Sequence, residues 1–185
     1  PVFTEYHTLK TKRDAWELAS ATFTTLLTIV TVVALLGIVA APGIVWLLAP
    51  GFHESPDKLA LTTLLTQVMF PYLVFISLAA LAMGILNSLR AFAAPAFSPV
   101  FFNIFTIACM LFLAPWLPEP IIGVAIGIVV GGVAQFAMQL PGLQGHGMLF
   151  GLRFQPGHPG VKRIGRLMVP SFFGLSVTQI NITVS

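Results

Sequence analysis

Four stretches of this chain, residues 18–48, 59–89, 97–116 and 121–140, contain no aspartate, glutamate, lysine, arginine or histidine. Each is long enough to carry a helix across a hydrocarbon core about 30 Å thick, which takes roughly 20 apolar residues. The constraint is tightest at Phe70–Ile104. There one apolar run ends, a break holds a single charge, Arg90, and the next run begins. Pro71 lies inside the first run, and Pro95 and Pro99 introduce the second. This stretch reads as a transmembrane helical hairpin with a tight, proline-rich turn. A soluble domain must cover its surface with charge, at about a quarter of its residues. Here 57% of residues are hydrophobic and 8% charged, too few charges for a soluble surface. The fold class is therefore an all-α, polytopic transmembrane helical bundle.

The same pattern of long run and short polar break organises the rest. Residues 1–8 read as the end of a helix, and His7, Lys10, Lys12 and Arg13 cluster at its exit into a basic loop. Asp14 and Glu17 then suit the first turn of a helix, where acids oppose the positive end of its dipole. Spans are expected at 15–49, 59–89, 97–116 and 121–140, a loop at 141–165, and the start of a further span at 166–185. Pro71 removes a backbone hydrogen bond within the second span and predicts a kink. Pro170 lies in the first turns of the last run, and these two prolines are the hinge candidates. Gly123, Gly127, Gly131 and Gly132 line a seam of the kind that lets helices approach closely. Gln67, Gln135 and Gln139 read as hydrogen-bonding glue between helices.

Loop charge sets the orientation, because lysine and arginine are retained on the cytoplasmic side. With the loops taken alternately, Lys10, Lys12, Arg13, Arg90, Arg153, Lys162, Arg163 and Arg166 fall on one side. Lys58 alone falls on the other, among Glu54, Asp57 and Glu119. The first set is expected in the cytoplasm.

Little here supports bond-making chemistry. The four histidines lie in loops, Cys109 has no partner cysteine, and no metal-ligand spacing occurs. No cofactor and no metal are expected. A nucleic-acid partner would require a basic face interleaved with aromatics, and the basic residues sit in membrane loops instead. Binding is the better reading. Glu5, in an apolar context near a helix end, is either an interfacial acid facing water or an ionisable group lining a polar cavity. Ser176, Gln179 and Asn181 give the last run uncharged hydrogen-bonding groups that line a cavity or bond neighbouring helices. The sequence opens on Pro1 with no signal-peptide pattern and stops inside an apolar run, so it is expected to be part of a longer membrane protein.

Several motifs resemble one family. PVFTEY before the basic loop, APGF after the first full run, FPY and NSL in the second and PAFSPVFFNI opening the third are joined by GGVAQFAMQLP and VPSFFGLSVTQIN. Together they are similar to the lipid II flippase family, MurJ or MviN, of the multidrug/oligosaccharidyl-lipid/polysaccharide exporter superfamily. The resemblance implies a multi-pass protein of the bacterial inner membrane with a fourteen-helix core in two lobes around a central cavity. It implies movement of lipid II, the undecaprenyl-linked peptidoglycan precursor, from the cytoplasmic to the periplasmic leaflet. Coupling would be to an unidentified ion or to the membrane potential. This chain would hold the end of the second helix, helices three to six and the start of the seventh, all in the N-terminal lobe. Glu5 then corresponds to an acid at the end of the second helix. The alternatives are a related polysaccharide-lipid flippase, a drug/cation antiporter of the same superfamily, or a non-catalytic part of a membrane enzyme of cell-wall synthesis.

Overall fold

The computed structural model describes residues 2–9, 11–148, 151 and 154–167. Among these there are helices and no strands. In order they are α1 (Val2–Leu9), α2 (Lys12–Leu48), α3 (Pro56–Met69), α4 (Tyr72–Ser88), α5 (Ala93–Phe112), α6 (Pro120–Ala137) and α7 (Leu140–Gly145). A further helix, α8, covers residues 159–167. Among the described residues four segments are long and apolar enough to cross a membrane: Lys12–Leu48, Pro56–Ser88, Ala93–Trp116 and Pro120–Gly145. The chain divides into two compact units, residues 1–25 with 150–185 and residues 26–149.

α2 begins at a capping box. The Thr11 hydroxyl accepts from the Asp14 backbone N–H, and the Asp14 carboxylate accepts from the Thr11 N–H and hydroxyl. Two donors left free by the start of the helix are thereby satisfied. With 37 residues at 1.5 Å each, α2 is about 55 Å long, more than a hydrocarbon core requires. Pro42 is accommodated within it. Thr22 and Thr24 return their hydroxyl protons to the carbonyls of Leu18 and Ser20, one turn back. Toward its end Val39, Leu47 and Leu48 are 79%, 71% and 76% exposed, a face that only an apolar surround leaves without a large hydration cost.

In the unit of residues 26–149, α6 is the hub, packing on α5 most extensively and then on α4. The glycine seam explains why. A Cβ on Gly127 would stand 2.9 Å from the Cys109 Cβ and 3.0 Å from the Thr106 carbonyl oxygen. On Gly131 it would stand 2.7 Å from Thr106 Oγ1 and 2.8 Å from the Phe102 carbonyl. Only glycine permits this backbone approach, and it brings the Gly127 carbonyl to 3.2 Å from the Thr106 hydroxyl, which it shares with the nearer Phe102 carbonyl at 2.8 Å. A buried polar knot lies near the end of the same helix. Gln139, fully buried, donates from Nε2 to the Ala79 carbonyl and to Ser98 Oγ, both at 3.2 Å. Ser98 in turn donates to the Gln135 carbonyl at 3.0 Å. One amide therefore ties α4, α5 and the end of α6 together. Gln67 reaches from α3 to the Ile38 carbonyl of α2 at 3.1 Å. Two of the three glutamines thus bridge helices through their side chains, and Gln135 does so through its backbone.

The hairpin turn differs from the expected proline-rich one. The chain reverses between Ser88 and Ala93, with no proline in the turn, and Pro95 and Pro99 lie inside α5. Pro95 is tolerated because N–H groups in the first turn of a helix have no intrahelical acceptor. The reversal is made by Arg90, in the left-handed region at φ 60. The Ala91 N–H bonds the Leu86 carbonyl and the Arg90 N–H bonds that of Asn87, the pairing that closes many helix C-termini. α7 ends the same way around Gly147, at φ 76, with Met148 N–H on the Leu143 carbonyl. That short helix lies in the segment expected as a loop. It forms because Leu143 and Met148 are buried, and Gly142 packs close to Leu86 and Ala94.

Candidate functional site

The unit of residues 1–25 with 150–185 is assembled from α1, the start of α2 and α8. Its core is Val2, Tyr6, Ala15 and Leu18, with Phe3, Val161 and Ile164 packed against it. α8 starts at Pro159, whose missing N–H suits a first helical position. Before it, His158 accepts from the Gly160 N–H through Nδ1 at 3.1 Å, so the ring caps the helix. The same ring lies 6.2 Å from that of Tyr6. Gly160 packs close to Leu18: a Cβ there would meet the end of the Leu18 side chain at 2.5 Å. Ser20, buried on α2, accepts from the Gly151 N–H at 3.2 Å.

This packing brings Arg163 to Glu5. Nη1 of Arg163 donates to Oε1 of Glu5 at 2.9 Å, across 158 residues of sequence. The side chains are 54% and 42% exposed. The hydrogen bond that Arg163 donates to Glu5, and then the negative charge of Glu5, push the Arg163 pKa further up, holding the guanidinium charged. So exposed a pair adds little to stability. What it supplies is a link between α1 and α8. Glu5 is thus ion-paired and partly exposed in this structure.

The remaining candidates fall elsewhere. Pro71 sits at the break between α3 and α4, where the Phe70 N–H still bonds Thr66 and the Leu73 N–H bonds the Phe70 carbonyl. Pro170, Ser176, Gln179 and Asn181 lie outside the described residues. Glu54, Asp57 and Glu119 are exposed, and among the described residues no group of histidine, cysteine and carboxylates is arranged to hold a metal ion. His53 donates from Nε2 to the Trp46 carbonyl at 2.7 Å and stacks on the indole, centroids 4.9 Å apart. Together with the His158 cap, this gives two loop histidines structural work that their sequence context did not signal. Arg163 as the partner of Glu5 was equally invisible, because nothing local to either residue marks the other.

The chain matches the family described as MurJ, lipid II flippase MurJ, over residues 1–185. It is 38% identical, over its full length, to a Burkholderia cenocepacia protein named lipid II flippase MurJ, covering 37% of that protein. It is 42% identical over 98% of its length to a probable lipid II flippase MurJ of Vibrio cholerae, covering 36% of it. A Haemophilus influenzae protein of the same description is 35% identical over 98% of the chain and is covered to 37%. The chain thus spans little more than a third of the curated relatives it matches. With the family matched from end to end and an all-α set of membrane-length helices in the structure, the chain belongs to the MurJ lipid II flippase family.

Proposed function

We propose that this chain serves in the translocation of lipid II from the cytoplasmic to the periplasmic leaflet of a bacterial inner membrane, as part of an alternating-access flippase and not of an enzyme. The observation that carries the reading is the family match over residues 1–185, supported by helices long enough to span the bilayer. The physical task is to take an anionic, hydrophilic head through hydrocarbon while the polyprenyl tail stays in lipid. A polar cavity that opens to each side in turn removes most of the desolvation cost.

In this reading residues 26–149 are frame. Their glycine seam and amide knot hold α4, α5 and α6 as one block, and the Pro71 break gives the frame a place to bend. Pro170, Ser176, Gln179 and Asn181 are proposed as hinge and cavity residues of the following helix. Glu5 is proposed as the acid that acts in transport, and its pairing with Arg163 as a contact made and broken during the cycle. Coupling to an ion or to the membrane potential is part of the proposal, with no resident cofactor.

The test is complementation of a flippase-depleted strain, and lipid II translocation, by the full-length protein carrying single substitutions. Glu5→Ala is expected to impair flipping more than Gln135→Ala. Equal performance of the two, at equal protein levels, overturns the ranking.

A further inference from the structure

α8 carries three cations within five positions: Lys162, Arg163 and Arg166. Its inner face is defined by Gly160 against Leu18 and by Val161 and Ile164 against the core of the unit. At 100° per residue, Lys162 and Arg166 project together from the opposite side, and both are exposed. Arg163 falls on the flank, where it meets Glu5.

The acids of this unit are already engaged. Glu5 holds Arg163, Asp14 is bound into the cap of α2 with Thr11, and Glu17 pairs with Arg13 at 3.6 Å. Neither Lys162 nor Arg166 forms an ion pair with a described residue. The outer face of α8 therefore presents two cations with no ion-pair partner among the described residues, and Leu167, next in sequence, is 52% exposed. The sequence then runs directly into its last apolar stretch. Cations followed immediately by apolar surface match the boundary between headgroups and acyl chains.

We propose that the outer face of α8 binds the phosphodiester headgroup of an anionic phospholipid, with Lys162 and Arg166 as its donors and Arg163 as a third donor that Glu5 occupies in this structure. A guanidinium fork accepts a phosphate as readily as a carboxylate. Glu5 is then a built-in competitor: it stands where phosphate oxygens bind, and its negative charge repels the incoming headgroup. The surface is independent of the transport reading, since it rests on the charge and packing of α8 alone.

The experiment titrates full-length protein, purified in a neutral detergent, with phosphatidylglycerol or phosphatidylcholine and reads retained lipid by native mass spectrometry. Each cation near such a surface is worth on the order of fivefold in affinity. Lys162→Ala with Arg166→Ala is expected to weaken phosphatidylglycerol binding by about 25-fold and to leave phosphatidylcholine unchanged. Glu5→Gln acts in the opposite direction, strengthening phosphatidylglycerol binding by about fivefold. Exchanging the charges conservatively, Lys162→Arg with Arg166→Lys, preserves binding. If the double alanine variant does not fold, the wild type still decides the matter: raising salt must weaken its hold on phosphatidylglycerol. Equal retention by wild type and the double alanine variant overturns the proposal, as does a loss shared with phosphatidylcholine. Weaker binding by Glu5→Gln overturns it too. Inorganic diphosphate displacing phosphatidylglycerol at far lower concentration also refutes it, and assigns the face to a diphosphate-bearing ligand instead.

Discussion

The two units of this chain are held together by different physics. In residues 26–149, cohesion comes from close backbone approach along Gly123, Gly127 and Gly131 and from a buried amide, Gln139, that satisfies groups on three helices. In residues 1–25 with 150–185, a small apolar core is joined by a capping box, a histidine cap and a solvent-exposed ion pair. The first kind of contact is short-ranged and intolerant of any added atom. In lipid it carries the weight that the hydrophobic effect carries in water, because acyl chains are as apolar as the side chains they would replace. The second kind is soft: an exposed ion pair exchanges its partner for water or another ion at little cost. The difference separates a region built to keep one geometry from a region able to change contacts.

Substitutions test that division, beginning with the largest effect. Gly131→Leu forces side-chain atoms into Thr106 and Phe102 and is expected to destabilise by about 3 kcal/mol. The readout is thermal unfolding of the full-length protein in detergent. Gly84→Leu, where a Cβ meets open space, is the matched control and should be tolerated; equal loss in both would break the seam reading. Next, Gln139→Leu removes the donor that the Ala79 carbonyl and the Ser98 hydroxyl share, at about 1 kcal/mol in the same measurement. A neutral result would mean that this amide is not the tie between α4, α5 and α6.

Arg90→Gly has a smaller effect and the opposite sign. It relieves a left-handed residue costing about 1 kcal/mol and adds unfolded-state freedom, for a net gain of about 0.5 kcal/mol. Lower stability in Arg90→Gly would show that the arginine side chain does more than occupy a turn. The smallest effect on unfolding belongs to the ion pair. Glu5→Arg and Arg163→Glu should each leave the melting temperature unchanged while reducing complementation, and the double exchange should recover part of it. Failure to recover any would separate the function of Glu5 from its contact with Arg163.

Several of these features were legible beforehand. Gly-x-x-x-Gly spacing at Gly123, Gly127 and Gly131 announced a packing seam, because the helical repeat alone puts those positions on one face. Asp14 near the start of a helix was readable from the helix dipole, whereas Thr11 as its reciprocal partner in the cap was not. Pro71 announced a break because a proline lacks its N–H in any context. The break at Arg90 was legible, but the prolines do not make the turn: Pro95 fits the first turn of α5, and a C-terminal hydrogen-bond pattern with no glycine closes α4 instead. The candidate site was half visible. Glu5 stood out as an acid in an apolar setting, while Arg163 looked like one more loop cation.

What the sequence determined by itself follows from local or summed properties: transfer free energy along a run, periodicity, and the chemistry of caps and breakers. These fix the number of membrane-length helices, their approximate extents and the small-residue face of α6, and the end-to-end motif match fixes the family. The tertiary structure alone decided which groups meet. Arg163 finds Glu5, Gly160 admits Leu18, and Gln139 reaches Ala79 and Ser98, because those pairings depend on how helices distant in sequence are brought together in space. No local rule carries that information, since each such contact is the outcome of many weak packing terms acting at once.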